Sequence, residues 1–131
     1  MSNNSFGFEE LEIWKKARLL KIEISATVKF FPADEKYKLA DQLIRSSRSI
    51  GALIAEGHGR FSYPDQIHFC VQARGSLAET MNHLIDAKDE TYISEIALAD
   101  YRLKIKELER VLNGYIIYLR TQKDLKSPKP V

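Results

Sequence analysis

Four arginines, Arg45, Arg48, Arg60 and Arg74, are the side chains whose type and spacing come closest to a chemistry. A guanidinium stays charged and presents a planar fork of donors that matches phosphate, so the set is a candidate nucleic-acid-binding surface. The same side chains also fit a structural role, paired with Glu56 and Glu79, because an arginine buried among small residues requires a partner. Pairing suits Arg45 and Arg74 better; Arg48 and Arg60 stay open between the two readings.

Other reactive residue types do not assemble. A di-iron bundle needs Glu-x-x-His on two helices, whereas the nearest spacing here is a lone Glu79-x-x-x-His83. His58 lies between glycines and His68 at a helix start, so neither has ligand neighbours. Cys70 falls on an apolar stripe, which marks a buried, inert thiol. Glu56-Gly57-His58-Gly59-Arg60 lacks the Lys-Ser/Thr ending and the preceding strand of a phosphate loop. No catalytic, cofactor-binding or metal-ligating residues are expected, and the chain does not read as an enzyme.

The elements that must position the arginines are helices. Small residues recur at every fourth position, Ser47, Gly51, Ala55 and Gly59, and Gly75 follows in the next helix. On a helix such a ridge lies on one face and lets another backbone approach, so these five are candidates for close packing or oligomer contact. The first helix spans about 8–30, carries Ile13, Ala17, Leu20 and Ile24 on one stripe, and ends at Pro32. Asp34 is the expected N-cap of the second helix, whose stripe is Leu39, Leu43, Ile50 and Ile54 and whose end is marked by Gly57 and Gly59. Ser62-Tyr63-Pro64-Asp65 opens the third. The fourth begins near Ser94-Glu95, with Leu98, Tyr101, Ile105, Leu108, Leu112, Tyr115 and Leu119 as its seam. The expectation is an all-α, up-down antiparallel four-helix bundle over 8–121, with a flexible 1–7 and a disordered tail at 122–131. The turn around Thr91-Tyr92-Ile93, with neither glycine nor proline, is the least defined boundary.

At 131 residues the chain suffices for one domain with a core of its own. No apolar run reaches the length of a membrane span, and no signal peptide opens the chain, so a membrane partner is not expected. The lone cysteine fits a reducing cytoplasm. A net charge of +2 does not by itself argue nucleic-acid binding. Its distribution is uneven: residues 61–101 are net −5 and residues 102–131 net +5. Such blocks either face each other, within or between copies, or are separately solvated. Val111, Ile116, Ile117 and Tyr118 lie off the seam of the fourth helix, as Ile44 and Leu53 do in the second, so self-association is expected.

With these residues in place a resemblance emerges. Phe8-x-x-Leu11-x-x-Trp14-x-x-Ala17, Phe31-Pro32-x-x-Glu35, Gln42-Leu43-x-Arg45, Ser49-Ile50, Ile54-Ala55-Glu56-Gly57-x-Gly59-Arg60 and Ala73-x-Gly75-Ser76-Leu77-x-Glu79 occur in order. Over about 8–119 the chain resembles the four-helix-bundle proteins encoded in intervening sequences of bacterial 23S ribosomal RNA genes. The resemblance implies a ring of five subunits and no enzymatic activity. It also implies kinship with the accessory variability determinant of diversity-generating retroelements, a relative that binds nucleic acid and a reverse transcriptase. The partners to expect are therefore further copies of the chain, RNA or DNA, and a nucleic-acid-processing protein. A pure protein-interaction module without nucleic-acid binding is the alternative. The chain departs from the family where Ile44-Arg45 replaces two adjacent arginines, and where Gly51 and Leu53 replace proline and asparagine.

Overall fold

The computed structural model describes residues 5–126. Among them are four α-helices and no strand: α1 (Glu12–Thr27), α2 (Leu39–His58), α3 (Tyr63–Asp89) and α4 (Glu95–Lys126). Each packs on the next and α4 returns to α1, giving a closed four-helix bundle. Residues 1–4 and 127–131, the outer parts of the expected flexible N-terminus and disordered tail, lie outside the described residues.

The core is what the stripes supply. Leu20 and Ile24 of α1, Leu43, Ile50 and Ile54 of α2, Leu77 and Leu84 of α3, and Leu108, Leu112 and Leu119 of α4 are buried together. Removing such side chains from water is the main stabilising term, about 1.5–3 kcal/mol for each large one. The α4 seam needs one correction. After Leu112 it steps by four to Ile116, which is buried, and then by three to Leu119; Tyr115 is only half-buried. Either order of steps keeps the repeat. Tyr115 turns to the α3 side, where burial beside Cys70 and Tyr63 pushes its hydroxyl up to about 12.

The helix ends depart from expectation in instructive ways. α1 stops at Thr27 and continues as a 3-10 turn, Val28–Phe30; Phe31 is extended, as the residue before Pro32 must be. Asp34 does not cap α2, because Ala33–Glu35 first forms a 3-10 turn and the α-helix starts later. The neighbouring carboxylate does part of that work: Leu39 N donates to Glu35 Oε2 at 3.2 Å. Ser62 caps α3 through Asp65 N, and Ser94 Oγ accepts from Ala97 N at the start of α4. The α3/α4 turn is closed by Thr91 N to Lys88 O (2.9 Å) and Tyr92 N to Ala87 O (2.8 Å), with Thr91 at a φ of 64°. That pair of bonds is the usual ending of a helix on a left-handed residue, here threonine where glycine is common. α4 runs through 122–126, residues expected in the tail; Lys123 and Lys126 lie in its last turn, where cations oppose the helix dipole.

Candidate nucleic-acid interface

The four arginines do not converge. Arg45 is well exposed and pairs with Asp41 on its own helix, Nε to Oδ2 at 3.0 Å, instead of with Glu56 or Glu79. Arg60 sits at the α2/α3 turn; its Nη2 donates to Glu56 Oε1 at 3.0 Å and its guanidinium lies 4.7 Å from the Phe69 ring centroid. Arg74 is half-buried and its Nη1 donates to Asn113 Oδ1 at 2.9 Å, which ties α3 to α4. This agrees with a structural role, though Asn113 replaces the expected glutamate. Arg48 differs from the other three. It is exposed, and among the described residues it makes no ion pair or hydrogen bond.

Arg48 has company of its own sign. It opens onto a groove between α1 and α2 that is also lined by Arg18 and Lys21 on the opposite wall. The floor is Gly51, Ala52 and Ala55, and Phe8 and Trp14 complete the lining. No carboxylate lines it. The acids next to Phe8 in sequence have other partners: Glu9 accepts from Phe6 N, Glu10 lies 3.9 Å from Lys15 and Glu12 3.8 Å from Lys16. The rings are ordered. Phe6 stacks on Phe8 at 6.0 Å, Phe8 meets Trp14 edge-on at 5.1 Å, and the Arg18 guanidinium lies 5.7 Å from the Trp14 ring.

The small-residue ridge divides between two tasks. Ser47 is buried and donates to Ile44 O. A Cβ on Gly51 would come 3.6 Å from Trp14 Nε1 and 3.9 Å from Ala17 Cβ, so the backbone admitted there is α1 of the same chain. Ala55 floors the groove and Gly59 is the exposed end of α2. Gly57, expected with Gly59 to mark the end of α2, lies in its last turn and also packs on α3: a Cβ there would be 2.8 Å from Phe69 Cβ. Gly75 is exposed with nothing near a built Cβ, and the same holds for Gly114 on α4, which sequence reasoning missed. The groove was missed as well. Its signal is Trp14, Arg18 and Lys21 on one face of α1 and Arg48, Ala52 and Ala55 on one face of α2, stripes that gain meaning only once the helices align.

A second, apolar groove lies between α1 and α4. Leu20 and Leu108 form its base, exposed Leu19 and Leu103 its lips, and Lys16, Glu23, Lys104 and Glu107 its rim. Lys104 Nζ bonds both Glu23 and Asp100 at 2.7 Å, which holds its pKa above the ordinary lysine value. Arg110 pairs with Glu107 one turn away. These ion pairs of the basic block thus run within α4 or to α1.

Cys70 is buried and desolvation pushes its thiol up to about 11. Among the described residues no three histidine, cysteine or carboxylate side chains gather as a metal site, and no helix is long and apolar enough to cross a membrane.

A family model described as 23S rRNA-intervening sequence protein matches residues 9–114. Among solved structures the chain is similar to a protein of unknown function from the S23 ribosomal protein family of Bacteroides thetaiotaomicron, at 25% identity with a TM-score of 0.73. That likeness covers 79% of this chain and 94% of the other. No curated protein matches.

Proposed function

The chain belongs to the 23S rRNA-intervening sequence protein family, and from that membership we propose that it is a non-enzymatic, self-associating helical bundle that binds nucleic acid. The observation that carries the reading is the α1/α2 groove, where three cations line one groove and no carboxylate does. Like charges held together raise the local potential and attract a phosphate backbone with little regard to base sequence. Of the four arginines first singled out, only Arg48 belongs to this surface. Arg45 and Arg60 are each matched by a carboxylate, and Arg74 serves the fold.

Self-association is supported by apolar side chains the bundle leaves in solvent, Leu19, Ile22, Leu103, Ile117 and Tyr118. A ring, as the resemblance implies, would repeat the groove on every subunit. Light scattering should give a mass several times the 15.1 kDa of one chain, close to that of a pentamer. Fluorescence anisotropy with short RNA and DNA should show log affinity falling against log salt by roughly 0.7–0.9 per phosphate neutralised. Arg48→Ala with Lys21→Ala should flatten that slope and leave the mass unchanged, whereas Arg45→Ala should leave both unchanged. No binding at low salt would overturn the reading.

The second reading is a protein-interaction module, scaffolding a nucleic-acid-processing partner without touching the nucleic acid. The α1/α4 groove favours it, because Leu19 and Leu103 flank an apolar channel with charges of both signs on its rim. Anisotropy decides between the two, since only the first requires phosphate-dependent binding.

A further inference from the structure

We infer that the α1/α2 groove takes an unpaired base together with its phosphate, so that the protein prefers single-stranded nucleic acid to duplex. The inference rests on the nucleic-acid reading above and deepens it. A site for backbone charge alone needs cations and nothing else. This groove adds three features that a duplex has no use for.

The first is the ring series Phe6, Phe8 and Trp14, which leads from the exposed Phe6 into the groove. Aromatic faces and edges attract a base, and every base has a face to offer, so stacking tolerates any sequence. The second is the floor. Gly51 takes the edge of the Trp14 indole, while Ala52 and Ala55 carry no more than a methyl and leave the space beside it open. Its volume of about 310 Å³ is at the low end of the roughly 300–1,000 Å³ typical of small-molecule sites, room for a single base. The third is the Trp14 indole. Its Nε1 lies beside Gly51 and, among the described residues, makes no hydrogen bond, so it is a donor available to a base carbonyl.

The cations complete the fit. Arg18 lies over Trp14 and is placed to stack on a base, while Lys21 and Arg48 stand at the rim where the attached phosphate would lie. In a duplex the bases are stacked on one another and only the phosphates reach the rim. Extruding one costs a few kcal/mol of lost stacking and pairing, which a single strand does not incur.

The chain has one tryptophan, so its fluorescence reports on the groove directly. The test titrates the full chain with a short single-stranded oligonucleotide, with the duplex of the same sequence, and with inorganic polyphosphate as a charge-only probe. The single strand should quench Trp14 and bind about tenfold tighter than the duplex, within the range expected for stacking of one base. Polyphosphate should bind with little change in emission. Ala52→Glu places a carboxylate in the groove at an exposed helical position where glutamate is well tolerated, and should abolish quenching without altering the melting temperature. Phe8→Leu keeps an apolar cover but removes a ring, and should cut single-strand affinity while leaving duplex affinity as it was. Equal affinity for both forms, with Trp14 emission unchanged, would overturn the stacking inference and leave the charge-based reading standing. Absence of binding to all three probes would overturn both.

Discussion

The seam between α2 and α3 and the seam between α1 and α4 join helices of the same amphipathic kind, yet they are built on opposite terms. At α2/α3 the meeting residues are small or internally satisfied. Gly57 lies against Phe69, Ala73 is buried, and Thr80 Oγ1 bonds Ser46 Oγ at 2.9 Å inside the contact. A second pair, Ser49 and Ser76, meets at 3.0 Å on the flank. At α1/α4 the contact is kept by large side chains and by tethers at its edge: Leu20 against Leu108, Thr27 to Tyr101, Glu23 to Lys104. Leu19 and Leu103 remain in solvent. Small residues let the backbones come close, whereas bulky ones hold helices apart. Both seams leave a surface groove, polar at α2/α3 beside Ser46, Ser49, Glu79 and His83 and apolar at α1/α4, where the leucine lips stay open to solvent.

The largest expected effect separates the two seams directly. Leu43→Ala removes a fully buried side chain of α2 and should cost about 2–5 kcal/mol, the range for leucine truncation in a packed core. Leu103→Ala alters an exposed side chain at the open seam and should change the stability of one chain by less than about 0.5 kcal/mol. Its effect should fall on association: the light-scattering mass, or capture of a partner, should drop if the α1/α4 groove is an interface. Denaturant melts of both variants check this. A large loss of chain stability from Leu103→Ala would mean that the open seam contributes more to the fold than its exposure implies.

Glycine sharpens the contrast by a change of sign. Gly57→Ala inserts a Cβ 2.8 Å from Phe69 Cβ and 3.3 Å from Gln66 O, so overpacking should cost about 1–3 kcal/mol. Gly75→Ala or Gly114→Ala meets open space and should stabilise the helix by about 0.8–1.0 kcal/mol. Thermal melts on the three single variants give the signs. If either exposed position instead lowers the mass of the assembly, its glycine is admitting another chain.

What sequence could and could not show follows from this same contrast. The four helices were legible because their stripes repeat every three or four residues and because Pro32, Ser62 and Ser94 mark their ends by local chemistry. The choice between Tyr115 and Ile116 was not legible, since both fit the repeat and only the neighbours on α3 decide it. Asp34 looked like the cap because its type is right, and the chain inserted a 3-10 turn first. Gly57 was legible as a mark of the helix end but not as a packing residue, because that role depends on what stands opposite, in this case Phe69 on another helix. The arginines were found by type, but Arg48 could be separated from Arg45, Arg60 and Arg74 only by their partners. Trp14 stood in a quoted motif, and Arg18 and Lys21 lay just beyond its end. They became a site only when α2 was laid beside them.

The smallest effect tests the one place where neither kind of seam governs the chain, the turn that carries α3 into α4. Thr91 adopts a φ of 64°, a left-handed conformation that crowds a β-branched side chain. It does so because the turn bonds from Thr91 N and Tyr92 N satisfy the last carbonyls of α3, and because Tyr92 is thereby set against Phe31, at 5.3 Å between ring centroids. Among the described residues the exposed Thr91 side chain makes no hydrogen bond that would offset the strain. Thr91→Gly should therefore relieve about 1–2 kcal/mol of backbone strain, of which the greater chain entropy of glycine in the unfolded state takes back roughly 0.5–1 kcal/mol. The net gain of about 0.5–1 kcal/mol should raise the melting temperature by a few degrees without changing mass or binding. Thr91→Ala, which keeps a Cβ in the same conformation, should gain much less. If glycine lowers the melting temperature, the Thr91 side chain is holding the turn by a contact, and the closing bonds alone do not set the path from α3 to α4.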